Sequence, residues 1–108
     1  MAALRAFSER HEIDIVLVHC FDTDKPGHFA HTRVFAPRFG YLEDPATGSG
    51  NSAFGSYLLK NNLWDGSAIG IEQGGSDRVF NTVKLTTDKG KILFGGGAIT
   101  RIEGYYYL

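Results

Sequence analysis

The stretch Glu43-Asp-Pro-Ala-Thr-Gly-Ser-Gly50 constrains the fold of this chain more than any other, because an acidic pair runs into a turn of small residues and then into a helix. Ala53, Phe54, Tyr57, Leu58 and Leu59 follow at helical spacing, which predicts a helix over Gly48–Lys60. Asn61 and Asn62 tolerate the left-handed conformation that ends helices. Ser52, Ala53, Gly55 and Ser56 give the helix a large small-residue surface, so strands are expected to pack close around it and to make it central.

The first amides of such a helix have no internal partners and carry the positive end of its dipole. A carboxylate or phosphate fits there. Gly48 and Gly50 let a ligand approach the backbone closely, and the Thr47 and Ser49 hydroxyls add hydrogen-bonding groups. The same residues suit an ordinary N-cap, since Asp44 before Pro45, Thr47 or Ser49 would serve a helix that binds nothing.

Around this helix the sequence predicts an α+β arrangement. Residues 2–11 suit a short amphipathic helix with Ala3, Leu4 and Phe7 on one side. Residues 13–20 are β-branched and continuously apolar, which predicts a buried strand and, within it, a buried structural thiol at Cys20. Residues 22–27 have turn composition. In residues 28–36, Thr32, Val34 and Ala36 alternate with Arg33 and Phe35 before Pro37 ends the run, so a strand is expected there.

The second half changes period. Residues 67–73, 81–87, 91–94 and 98–103 read as short strands, three of them antiparallel neighbours, separated by Gly74-Gly-Ser-Asp77 and Asp88-Lys-Gly90. The second separator predicts a hairpin with positive φ at its glycine, and Gly95-Gly-Gly97 predicts a bend. Tyr105-Tyr-Tyr107 forms an aromatic tail expected to cover the chain's own core or a second subunit.

At 108 residues and 43% hydrophobic, residues 1–108 form one domain with one core. Eleven Lys and Arg against twelve Asp and Glu, with no basic run, argue against nucleic acid and anionic membranes as partners. No segment has the length of a membrane span and no signal peptide is seen, so a cytoplasmic location is expected. His11, His19, His28 and His31 form no recognised metal pattern and no cysteine pair accompanies them, so no metal is expected.

These residues together resemble the PhzF-like family of the diaminopimelate-epimerase superfamily, in its C-terminal half. The resemblance is carried by Arg33-Val-Phe-Ala-Pro37, Gly40 and Glu43-Asp-Pro-Ala-Thr-Gly-Ser49, with Gln73-Gly74, Val83-Lys-Leu85 and Gly96-Gly-Ala-Ile99 in support. It covers nearly all of the chain. Family enzymes, which include an isomerase of trans-2,3-dihydro-3-hydroxyanthranilate, have two pseudo-symmetric lobes, each a mostly antiparallel sheet around a central helix, with the active site between them. The resemblance implies a diaminopimelate-epimerase-like single lobe.

The resemblance further implies that Asp44 faces the cleft and orients the substrate or assists proton transfer. Thr47, Gly48, Ser49 and Gly50 would hold the substrate carboxylate, and no cofactor is used. Related epimerases begin this turn with a cysteine where Thr47 stands here, which excludes a two-cysteine mechanism. The family's acid-base glutamate belongs to the other lobe and has no counterpart in this chain; Glu43 is a weaker substitute beside the anion site. Two readings follow: an isomerase or epimerase half completed by an identical chain or a separately encoded lobe, or a non-catalytic dimeric lobe that binds a small anion or is a gene remnant.

Overall fold

The computed structural model describes residues 2–75 and 80–108. Helix α1 (Ala2–His11) is followed by strands β1 (Val16–Cys20) and β2 (Ala30–Ala36), a 3-10 turn (Pro37–Phe39) and β3 (Tyr41–Asp44). Helix α2 (Gly48–Lys60) then leads to β4 (Ile69–Gly74), β5 (Phe80–Asp88) and β6 (Lys91–Gly95). One six-stranded sheet runs β1-β2-β4-β5-β6, and β3 pairs with β2 beside this path. Among the described residues only β2 and β4 are parallel; the other pairs are antiparallel. The sheet curls into a half-barrel, so the fold is the α+β, diaminopimelate-epimerase-like architecture expected.

Alternation in β2 is realised fully: Ala30, Thr32, Val34 and Ala36 are buried while His31, Arg33 and Phe35 are partly exposed. The buried set meets α2 through Phe54 and Leu58, which join Ala30, Trp64, Ile71, Val83 and Leu85 in the core. A fully buried side chain of this size contributes about 1.5–3 kcal/mol relative to exposure, so this cluster fixes the helix on the sheet. Gly55 makes the close approach possible, since a Cβ there would lie 3.3 Å from Ile92 and 3.5 Å from Leu85. Ala53 and Ser56 face outward, however, because the half-barrel covers one side of α2 only.

The Asp88–Lys91 hairpin has the predicted form. Its two connecting residues both have positive φ, 50° at Lys89 and 77° at Gly90, which matches the strand twist. Helix α2 ends as expected, with Asn62 in the left-handed region at φ 56°. The part of the Gly74–Asp77 separator at residues 76 and 77 lies outside the described residues.

Three expectations are corrected. Residues 13–20 do not form a buried strand: β1 begins at Val16 and is the sheet's edge, with β2 as its one neighbour, so Val18, His19 and Cys20 are exposed. Cys20 is therefore a surface thiol that donates to the Asp22 carbonyl at 3.3 Å. Residues 98–103 form no strand, because the chain leaves the sheet after Gly95 and pairs with no edge of it. In α1, Ser8 is buried while Phe7 is 48% exposed, since the helix rests on the Pro37–Phe39 turn and not on the main core.

Candidate functional site

The inward faces of β2 and β4 change character along the sheet. Ala30 lies opposite Ile71 in the apolar core, and one step further Thr32 lies opposite Gln73. Asn51, one turn before Phe54, meets this polar end of α2. All three polar residues are completely buried, and each is satisfied by its neighbours. Asn51 donates to the Thr47 carbonyl at 2.9 Å and to Gln73 Oε1 at 2.7 Å, and Thr32 donates to Asn51 Oδ1 at 3.1 Å.

Gln73 holds the turn before the helix at three points. Its Oε1 accepts from the Thr47 amide at 2.9 Å, and its Nε2 donates to the Asp44 carbonyl at 2.7 Å and to Thr47 Oγ1 at 3.0 Å. The Thr47 hydroxyl in turn donates to Asp44 Oδ2 at 2.5 Å. Thr47 is thus committed to the turn through both its amide and its hydroxyl. Although Thr47 stands at the N-cap in extended conformation, among the described residues no side chain caps the helix. The first helical backbone bond is Asn51 N to the Thr47 carbonyl. The amides of Gly48, Ser49 and Gly50 at the helix start therefore remain for an external acceptor.

The surroundings shape this site. Gly48 lies against Phe94 of β6 so closely that a Cβ would come within 2.4 Å of the ring, which is why glycine is needed there. A groove of about 500 Å³ opens beside it, with Ala46, Asn81, Thr82 and Gly95 among its walls. Asn81 ties β5 to the turn by donating to the Pro45 carbonyl at 3.0 Å. Asp44 is half-buried beside Thr47. Its neighbour Glu43 takes a different role, accepting both Nε and Nη2 of Arg33 at 2.8 Å. That bidentate pair raises the Arg33 pKa against the opposing effect of its own burial. Asp44, Thr47, Gly48, Ser49 and Gly50 lie together at the start of α2; sequence reasoning missed Thr32, Asn51 and Phe94, and took Gln73 only as a weak supporting feature. Their one signal was polar residues at inward positions of otherwise apolar runs.

A second polar cluster occupies the opposite face of β2 and β4. Glu72, completely buried, accepts from the Asp24 amide at 3.0 Å, the Lys25 amide at 2.8 Å and His31 Nδ1 at 2.5 Å. Burial alone would push its pKa up, but these three hydrogen bonds together hold it below the ordinary glutamate value. His31 Nε2 faces the Gly74 carbonyl at 2.8 Å, so both its ring nitrogens lie beside oxygen acceptors. Ligand-type atoms of Asp24, His31 and Glu72 lie within 4.8 Å of one another, and the cluster pins the loop after β1 to the sheet. His28 takes separate partners, Thr82 Oγ1 and the Lys25 carbonyl. No helix among the described residues is long and apolar enough to cross a membrane.

A curled, mostly antiparallel sheet packed on one helix is the diaminopimelate-epimerase-like fold. The chain belongs to the phenazine biosynthesis-like protein family, whose model it matches over residues 3–104. It is similar in fold to the crystal structure of the Bacillus anthracis phenazine biosynthesis protein of the PhzF family, with a TM-score of 0.62 and 21% identity. That likeness covers 83% of this chain and 36% of the other, so the chain spans about a third of its length. The search of curated proteins gave no match.

Proposed function

We propose that this chain supplies the anion-binding half of a cofactor-independent isomerase or epimerase acting on a small carboxylate. The observation that carries the reading is the set of uncapped amides at Gly48, Ser49 and Gly50 beside Asp44, held in place by Gln73. Oriented N–H groups stabilise charge that develops on a carboxylate when a proton leaves the adjacent carbon. Asp44 orients the substrate or assists that transfer, and the Gly48, Ser49 and Gly50 amides receive the carboxylate, while Thr47, whose amide and hydroxyl are already paired, holds the turn. A second lobe closes the site, either from an identical chain or from a separately encoded polypeptide that carries the acid-base glutamate. Family membership supports this reading, and the structural likeness covers 36% of the other chain, which leaves room for a second part of the site.

One observation favours a second reading, a dimeric lobe that binds a small anion without turnover. Both acidic candidates already serve the structure, Asp44 through Thr47 and Glu43 through Arg33. Proton exchange at carbon separates the two. With trans-2,3-dihydro-3-hydroxyanthranilate in deuterated water, NMR should record deuterium incorporation that Asp44→Ala abolishes. Binding of anthranilate without any exchange supports the module, and neither binding nor exchange removes the site altogether.

A further inference from the structure

Beyond Gly95 the chain carries apolar surface that none of the described residues covers. Ile102, Tyr105, Tyr106, Tyr107 and Leu108 are each at least 87% exposed. At the far side of the sheet, β1 has one neighbour and an open edge. An aromatic cluster flanks that edge: the His19 ring lies 4.7 Å from Phe54, 5.7 Å from Tyr57 and 5.6 Å from Phe21. Val18 and Cys20 line its other face, also exposed. An open strand edge offers unpaired N–H and C=O groups, and an extended segment that adds to it gains main-chain hydrogen bonds plus alternate side-chain contacts.

We infer that residues 98–108 of one copy of this chain add as a strand to the β1 edge of a second copy, and that two chains exchange these segments reciprocally. Period-two alternation puts Tyr105 and Tyr107 on one face of the added strand and Tyr106 on the other. One face meets the aromatic cluster and the other meets Val18 and Cys20. Each tyrosine buries about 150–250 Å², so the three from each of two tails supply about 900–1,500 Å² on the tail side alone. That reaches the scale of a stable interface, about 1,200–2,000 Å² in total.

A second copy suits the segment better than its own β1. The strand order places β1 and β6 at opposite edges, four steps of about 4.8 Å apart. Crossing that distance uses about six extended residues at about 3.3 Å each, and α2 packs over β5 and β6 on the face it would cross. The inference does not rest on the anion site.

The test begins with the mass of the intact chain in solution by light scattering, expected at twice 11.9 kDa. Truncation after Gly97 should return a monomer. Cys20, the chain's one cysteine, is exposed on β1 and reports directly on docking. With Tyr105→Cys, Tyr106→Cys and Tyr107→Cys made in turn, mild oxidation should yield a covalent dimer in at least one, absent from the wild type and lost when Cys20→Ser is added. This arm holds even if the truncated chain fails to fold. A monomeric intact chain, a dimer that survives truncation, or a disulfide closed within one chain would each overturn the exchange.

Discussion

Gln73→Met tests whether one buried amide organises the start of α2. Methionine keeps the length and unbranched shape of glutamine, so the substitution removes hydrogen bonds with little cavity. Four contacts vanish: those to the Thr47 amide, Asn51 Nδ2, the Asp44 carbonyl and Thr47 Oγ1. Two of the partners keep another bond, since Asn51 still donates to the Thr47 carbonyl and the Thr47 hydroxyl still donates to Asp44. The Thr47 amide and the Asp44 carbonyl lose the side chain that joins them. A buried group left unpaired costs about 1–3 kcal/mol, which sets the expected loss at about 2–6 kcal/mol. The whole domain has a stability of about 5–15 kcal/mol, so the change is a large share of it. Urea unfolding followed by circular dichroism measures it directly: at a slope of about 1.5 kcal/mol/M, the midpoint should fall by more than about 1 M with the slope unchanged. A shift below about 0.3 M would refute the argument that Gln73 fixes this turn.

Other substitutions probe separate parts of the molecule. Leu58→Ala, at a completely buried position in the apolar core, should cost about 2–5 kcal/mol in the same unfolding assay. Arg33→Lys removes the bidentate contact with Glu43 at a half-exposed guanidinium, so thermal unfolding should register less than about 1 kcal/mol. Glu43→Gln should leave deuterium exchange into the substrate unchanged, because that carboxylate serves Arg33; loss of exchange would restore Glu43 as a proton carrier. The Glu72 carboxyl has a folded pKa below its ordinary 4.5. Its stabilisation is therefore complete above about 4.5 and disappears as pH falls through the depressed folded value. Melting temperatures measured from pH 6 down to pH 3 should decline more steeply for the wild type than for Glu72→Gln.

Periodicity made the local elements legible. Helix α2, the alternation of β2 and the Lys89-Gly90 hairpin follow from residue spacing and turn chemistry that act within a few residues. The misreadings all concern what lies beside an element. The apolar run at residues 13–20 has the composition of a buried strand, but burial depends on a neighbour, and β1 stands at an edge. Residues 98–103 have strand-like composition but pair with neither edge of their own sheet. Strand β3 was hidden because Glu43 and Asp44 read as a helix approach, while pairing with β2 draws them into extended backbone. For the site, the turn itself was visible and its supports were not, since Asn51 and Gln73 become partners only when α2 crosses from β3 to β4.

That crossing divides labour along one helix. From Phe54 onward α2 buries apolar groups against Ala30, Ile71 and Leu85, where packing supplies stability and tolerates some shape change. At Asn51 the same helix enters a polar cluster in which each hydrogen bond has a direction, and directional bonds position a turn far more narrowly than apolar contact does. The uncapped amides sit at this polar end. A site for a small anion, as proposed here, needs its donors aimed as well as present, and the buried Thr32, Asn51 and Gln73 cluster where the helix begins. The apolar end holds the helix to the sheet; Gln73 and Asn51 decide where its first three amides point.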